Sequence, residues 1–291
     1  MKSLSKILIY PLFVITITGC VNLKAVNDFA KSSKETIQTF KESDISLIDS
    51  YKHRTLNDCM FKGGKPNFIA KEDDCYDKND IKRFKRSDSL ITMVNTVLEK
   101  YFLALEELSA YKDGSFSLKN DNLTKILTDS TEFKFSEDQV KAATGLVENL
   151  TNSAFSVYKK KKIAKTVAEV HSDLAEVINM YKSALGLLKK NLKDNVQTSQ
   201  NRYLNLFTNS RDTVQKIQVT DHYIKESREW LAKIKVIEKY IKALDEIATG
   251  HDKLLKNGKN ITTKEIFSLL AGHTATIIEV RNDIKTLKDD E

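Results

Sequence analysis

Ile163–Leu192 reads IAKTVAEVHSDLAEVINMYKSALGLLKKNL, and it contains the most regular apolar pattern in the chain. Its apolar residues recur in steps of three and four through four heptads, at Ile163, Val167, Val170, Leu174, Val177, Tyr181, Leu185, Leu188 and Leu192. This spacing places all of them on one side of an α-helix, which is typical of the seam of a coiled coil or a long helical bundle. The stretch therefore predicts a long helix that packs lengthwise against others.

A second apolar run follows, separated from the first by the polar stretch Asn191–Asn201. Its pattern drifts slowly, through Tyr203, Phe207, Ser210, Val214, Ile217, Asp221, Ile224, Arg228, Leu231, Ile234, Ile237, Ile241, Leu244 and Ala248. A single helix over residues 203–249 would be about 70 Å long, and we expect Gly250, Asn257 and Gly258 to end it. Asp221 and Arg228 share the seam seven residues apart, which predicts a buried polar layer that fixes register or a groove for a partner.

Shorter patterns predict the remaining helices. Residues 90–111 carry an amphipathic pattern that Asp113–Gly114 would end, and residues 115–135 read as a connector with one short helix. Ser136–Gln139 has the sequence of a capping box, and a last helix begins at Thr262 or Thr263. The looser spacing over residues 26–60 predicts a tether ahead of the first packed helix.

Composition supports this reading of the chain. The 291 residues include 2 prolines, 41% hydrophobic and 30% charged residues, which argues against both an all-β fold and disorder. We predict an all-α fold, an elongated antiparallel bundle of four to six helices with coiled-coil-like seams. The expected segments are an export signal (1–19), an anchored segment with the first helix (20–60), a disulfide-closed loop (61–79), a helix with its connector (80–135) and the long-helix bundle (136–291).

The first twenty residues are organised as an export signal. Lys2 and Lys6 precede the apolar run Ile7–Ile17, ILIYPLFVITI, which is shorter than the roughly 20 residues that a membrane-spanning helix needs. The run ends in Ile17-Thr18-Gly19-Cys20. An aliphatic residue, two small residues and a cysteine in this order resemble the lipobox of bacterial lipoproteins. The resemblance covers residues 1–20 alone, and it names a processing class rather than a function.

The lipobox resemblance implies diacylglycerol on the Cys20 sulfur, cleavage before Cys20 and a fatty acyl chain, such as palmitate, on the new amino terminus. Two or more acyl chains hold a protein stably on a bilayer, so the bilayer is the first expected partner. Val21 follows the cysteine where aspartate would retain an enterobacterial lipoprotein at the inner membrane. Outer-membrane delivery, facing the periplasm, is therefore favoured if the source is Gram-negative. The alternatives are an ordinary cleavable signal and an unprocessed N-terminal helix.

The positive charge gives no indication of a nucleic-acid partner. The formal net charge is +7, and removal of residues 1–19 would take away two lysines and no acid, which leaves +5. Basic and acidic residues are interleaved almost everywhere, and the dense patch Lys159–Lys162 reads as a solvated helix face or a contact to anionic headgroups. We expect no nucleic-acid binding.

Cys59 and Cys75 are predicted to form a disulfide. An exported compartment is oxidising, and the intervening sequence contains Gly63, Gly64 and Pro66, which packing alone would not hold in place. The bond would close a loop of about 17 residues, worth roughly 3 kcal/mol in the chain-entropy model. Two free thiols, redox catalysis or a metal site are the alternatives. Because such loops often carry function, Gly63–Asp77 is a first expected contact surface.

The histidines form no recognisable catalytic or metal-binding motif. The chain has 5 histidines, and none stands in a Glu-x-x-His or His-Glu-x-x-His arrangement. His222 and Glu226, four residues apart, read as an exposed ion pair, and His273 reads as a core histidine. We expect no cofactor, no metal and no enzymatic activity.

We therefore predict a membrane-anchored envelope lipoprotein with a structural or protein-interaction role, whose partner is another protein or a second copy of itself. Two alternatives remain open. One is a lipoprotein inhibitor or immunity protein that acts against a toxin or phage, and the other is a membrane-active helical protein.

Overall fold

The computed structural model describes residues 20–61, 71–110, 136–152, 159–257 and 264–289. These residues form seven α-helices and one short 3₁₀ turn, without a β-strand, which confirms the predicted all-α fold. The helices are α1 (Cys20–Lys41), α2 (Leu47–Met60), α3 (Lys78–Ser109), α4 (Glu137–Asn152), α5 (Lys159–Asn209), α6 (Thr213–Lys256) and α7 (Lys264–Asp289), and the 3₁₀ turn is Glu72–Cys75. The count exceeds the predicted four to six because residues 20–60 form two helices.

The predicted seam of the first long helix is confirmed. All nine seam residues, from Ile163 to Leu192, are at most 1% exposed. They lie on α5, which has 51 residues and a length of about 77 Å. A single hydrophobic core includes residues from all seven helices, and α5 forms its central element together with α6.

The predicted boundary between the two long helices is wrong. Helix α5 runs without a break through the polar stretch 191–201 and ends at Asn209. Asn195 and Ser199 from this stretch are buried. Each hydrogen-bonds to a residue of another helix, which allows these polar side chains to lie in the interior. The turn comes instead at residues 210–212, where Asp212 caps the 44-residue helix α6. Gly250 lies inside α6 rather than at its end.

The predicted N-terminal tether is also wrong. Helix α1 begins at Cys20, and Leu23, Val26 and Phe29 are already buried, each at most 1% exposed. The spacing over residues 26–60 looked loose because polar residues such as Ser33 and Thr36 are buried there as well. The hydroxyl of each donates a hydrogen bond to the backbone carbonyl four residues earlier in the helix.

Side-chain caps fix several helix ends. The predicted capping box is confirmed, since Ser136 Oγ accepts from Gln139 N at 3.2 Å and Gln139 Oε1 accepts from Ser136 N at 3.0 Å. Asp88 of α3 caps α2 from outside, accepting from the amides of Leu47 (2.7 Å) and Ile48 (3.0 Å). The helix ends predicted at Asp113–Gly114 and at Thr262 or Thr263, and the connector 115–135, lie outside the described residues.

Polar contacts between helices show their directions. Helices α5 and α6 are antiparallel, since Lys189 Nζ lies 3.5 Å from Glu238 Oε1 while His171, earlier in α5, contacts His251, later in α6. Helix α7 is antiparallel to α6, joined by the ion pair of Lys239 with Asp283 (2.5 Å). Helix α1 packs between α3 and α7, and α2 bridges α3 and α5.

Candidate interaction surface

The Cys20 end of the molecule is tightly packed. Asn27 of α1 donates to the Glu106 carbonyl (2.8 Å) and to Ser109 Oγ (3.2 Å) near the end of α3. Phe29 lies against Gly250, near the end of α6. The predicted lipid-attachment residue therefore starts a helix at the end of the bundle where α3 and α6 finish.

The predicted cysteine pair is brought together. Cys59 in the last turn of α2 and Cys75 in the 3₁₀ turn lie at disulfide distance, with their Cα atoms 5.8 Å apart. The pair connects α2 to the segment that leads into α3. Residues 62–70, most of the contact surface predicted at Gly63–Asp77, lie outside the described residues.

The turn between α5 and α6 carries exposed apolar side chains at the opposite end of α6 from Cys20. We call residues 203–224 the hairpin tip. Its exposed large apolar residues are Leu204 (63%), Phe207 (40%), Val214 (59%), Ile217 (64%) and Ile224 (45%). Leu231, one heptad beyond Ile224, is 46% exposed. An apolar cluster of this kind on a folded surface is typical of an interaction site.

The predicted buried polar layer at Asp221 and Arg228 is wrong. Both residues are exposed, and Asp221 pairs with Lys225 one turn along the same helix at 3.0 Å. The reason is the rotation of α6, which turns Tyr223 and Glu226 toward α5 instead. The first part of the predicted seam, from Val214 to Leu231, lies on the outer face of α6, whereas Ile234, Ile237 and Leu244 farther along the helix are buried as predicted.

A polar network at the base of the hairpin tip centres on Glu226 of α6. Its carboxylate accepts hydrogen bonds from Ser199 and from Tyr203 (2.8 Å) of α5. It also pairs with Arg202 (2.5 Å) and with His53 of α2 (3.1 Å). We call these five residues the Glu226 network. His222, the partner predicted for Glu226, is exposed instead.

The environment of Glu226 keeps it ionised. Burial alone would raise the pKa of this carboxyl, but the hydrogen bonds from His53, Ser199 and Tyr203 and the charge of Arg202 together lower the pKa to about 2. The carboxylate of so acidic a group is a weak proton acceptor at neutral pH. The network thus joins α2, α5 and α6 through charge-assisted hydrogen bonds.

A polar groove of about 290 Å³ lies beside this network. Its lining is Asn57, Asp58, Phe61, Thr198, Asn201, Arg202 and Asn205. Arg202 reaches into it from the Glu226 network and donates to the Asn57 side chain. Polar side chains therefore continue from the Glu226 network through this groove to Asp58, which is next to Cys59.

A second polar group is buried near the other end of α6. His251 Nε2 lies 2.5 Å from the Tyr101 hydroxyl of α3, and its Nδ1 lies 3.2 Å from His171 Nδ1 of α5. Neutral imidazole can accept at one nitrogen and donate at the other, which satisfies both contacts. Burial and the neighbouring His171 lower the pKa of His251 to about 3. We call these three residues the histidine cluster.

Both polar groups were missed at the sequence level because their members come from different helices. His273, read from the sequence as a core histidine, is only partly buried, and its Nδ1 lies 2.7 Å from Glu246 Oε2. Among the described residues, no group of three or more His, Cys, Asp or Glu side chains is arranged to hold a metal ion. In the same part of the chain, no helix is both long and apolar enough to cross a membrane.

The chain matches no family model, no curated protein sequence and no solved structure.

Proposed function

We propose that the protein is a lipid-anchored envelope protein with a structural or protein-interaction role and no catalytic activity. In this proposal Cys20 carries the lipid, and the hairpin tip contacts a protein partner. The export-signal pattern and the Ile17-Thr18-Gly19-Cys20 tetrapeptide support the anchor. The exposed apolar side chains of the hairpin tip support a protein contact.

The observation that carries the proposal is the position of these two features at opposite ends of the molecule. Helix α1 starts beside the end of α6 near Gly250, and the hairpin turns at Asp212. The stretch of α6 between these two residues is about 57 Å long. An acyl anchor at Cys20 would hold one end of the rod at a bilayer, while the apolar tip stays free to meet a partner.

The Glu226 network supports a scaffolding role for the base of the hairpin. Both of its carboxylate oxygens are engaged by donors from α2 and α5. Buried ion pairs with additional hydrogen bonds are destabilised strongly when one partner is removed. The network therefore fixes the direction in which the hairpin tip projects from the bundle.

Replacement of Cys20 by serine in the native cell tests the anchor. We expect the wild-type protein in the membrane fraction and Cys20→Ser in the soluble fraction, or retained with its signal uncleaved. Cys59→Ser together with Cys75→Ser serves as a matched cysteine control and should stay in the membrane fraction. Membrane association of processed Cys20→Ser equal to that of wild type would contradict the proposal.

A site-specific photo-crosslinker tests the tip. Placed at Ile217 it should give a crosslinked protein adduct, because this exposed residue lies at the hairpin tip. The same crosslinker at Leu269, which is 41% exposed on α7, is the control and should give none. Equal adducts at both positions, or none at Ile217, would argue against a protein contact there.

A further inference from the structure

The outward face of α6 carries an unpartnered stripe with coiled-coil spacing. We call it the outer stripe, and its residues are Val214, Ile217, Asp221, Ile224, Arg228 and Leu231. All six are exposed, and no described helix covers them. The opposite face of α6 carries Tyr223 and Trp230, which contact Tyr203 of α5 and His53 of α2.

The spacing of the outer stripe is that of the a and d positions of a heptad. Steps of three and four residues continue over 18 residues, a length of about 26 Å. Such a stripe loses water contact only when another helix packs along it. Since α6 is already folded against α5, a partner helix would meet a preformed surface.

The two charged members of the outer stripe indicate what that partner is. Asp221 and Arg228 carry opposite charges seven residues apart. In a parallel pair of identical stripes, each would face its own copy, which places like charges together. In an antiparallel pair in which residue 221 of each copy lies opposite residue 224 of the other, residue 228 of each copy lies opposite residue 217 of the other. Asp221 and the second copy's Arg228 are then four residues, or about 6 Å, apart along the axis, which an arginine side chain spans.

We propose that the outer stripe is the interface for a second copy of this chain, bound antiparallel. The twofold arrangement forms two equivalent Asp221–Arg228 pairs, flanked by Ile217 and Ile224 from both copies. The pair of Asp221 with Lys225 does not compete strongly, because exposed ion pairs contribute at most about 1 kcal/mol. The two Cys20 residues then lie at opposite ends of the dimer.

The interface is small, and the dimer is expected to be weak. A single helix stripe buries less than the roughly 800 Å² per partner of a standard interface. The contact itself needs no lipid. The proposed dimer therefore does not depend on the lipid anchor. Either proposal can fail while the other holds.

Charge exchange on the outer stripe tests the inference. The protein is the chain from residue 20 onward with Cys20→Ser, which contains every described residue, and its mass is followed by sedimentation from about 1 to about 500 µM, a range suited to so small an interface. We expect a concentration-dependent dimer. Asp221→Arg or Arg228→Asp alone should weaken it at least about tenfold, because each places like charges together. The double exchange should restore dimerisation.

The matched control is Glu169→Arg, which reverses an exposed acid paired with a lysine four residues away on α5. It should leave dimerisation unchanged. Far-UV circular dichroism and the fluorescence of Trp230, the single tryptophan, check that each variant is folded. A wild-type monomer throughout the range, a dimer insensitive to the single exchanges, or a double exchange as weak as the single ones would each overturn the proposal.

Discussion

Gly250 permits the closest approach between α1 and α6. A Cβ added at this position would lie 2.7 Å from Phe29 Cζ and closer still to Cε2. Phe29 is fully buried and packs edge-on against Phe102, with ring centroids 6.0 Å apart. Because the phenyl ring is fully buried, a turn away from the added Cβ would displace side chains packed around it. The glycine that the sequence suggested as a helix end is explained instead by packing.

Gly250→Ala should destabilise the protein despite the better helix propensity of alanine. Overpacking typically costs about 1–3 kcal/mol, which exceeds the gain of up to about 1 kcal/mol from removing a helical glycine. Urea unfolding followed by circular dichroism measures the change. Gly272→Ala is the control, because an added Cβ there meets nothing within 4 Å, and it should be neutral or stabilising. Equal stability of the two variants would contradict the packing argument.

His251 should make stability depend on pH. The usual pKa of a histidine is about 6.5, while that of buried His251 is about 3. Below pH 6.5 the unfolded chain binds a proton that the folded chain does not, so the free energy of unfolding falls as pH decreases toward 3. From pH 6.5 to pH 4.5 this residue alone should remove about 2 kcal/mol. His171 and Asp252 face it, and they adjust the size of the effect.

Unfolding of wild type, His251→Gln and His222→Gln over this pH range measures the effect. His251→Gln should be less stable at pH 7, because it loses contacts to Tyr101 and His171, but its stability should change less with pH. His222 is exposed, so His222→Gln should follow wild type. Parallel pH profiles for wild type and His251→Gln would show that protonation of His251 is not responsible.

At the scale of helices, the polar stretch of α5 explains why sequence and structure disagree. Asn195 donates to the Ser50 carbonyl at 3.0 Å and to Ser50 Oγ at 2.9 Å, both on α2. Ser199 donates to Glu226 on α6. In a sequence, polar residues on the inner face of a helix interrupt the apolar pattern and so predict a helix end when their hydrogen-bond partners are unknown. Their hydrogen bonds form only after distant segments come together, so a local pattern cannot reveal them.

Asn195→Ala should weaken the attachment of α2 to α5. Loss of these two hydrogen bonds, each worth about 0.5–1.5 kcal/mol net, should cost about 1–3 kcal/mol. Gln197→Ala, an exposed change on the same helix, should stay within about 0.5 kcal/mol of wild type. Thermal unfolding of both variants provides the comparison, and an equal melting temperature would mean that the Asn195 hydrogen bonds contribute no net stability.

The apolar periodicity of the sequence predicts correctly those features that depend on local spacing alone. The seam from Ile163 to Leu192 is buried as expected, and the cap at Ser136 forms as expected. The outer stripe shows the limit, because a heptad pattern gives a face of the helix but not what that face meets. The prediction of a buried layer at Asp221 and Arg228 is wrong for this reason, since the face of α6 that packs on α5 is set by Tyr223 and Glu226.

At the scale of the whole molecule, the two ends have different surfaces. The Cys20 end is closed by α1, whose apolar face is buried from Leu23 onward, so an acyl chain on Cys20 would place the bundle directly at the bilayer surface. The hairpin tip at the other end keeps apolar side chains in solvent. A rod with these ends suits a protein that presents a contact surface at a set distance from a membrane.

Mass spectrometry of the mature protein from its native cell shows whether Cys20 carries the lipid anchor. We expect an N-terminal peptide that begins at Cys20, carries diacylglycerol on the thiol and is acylated on its amino group. An unmodified peptide that spans Gly19–Cys20, or a mature chain that begins elsewhere, would contradict it.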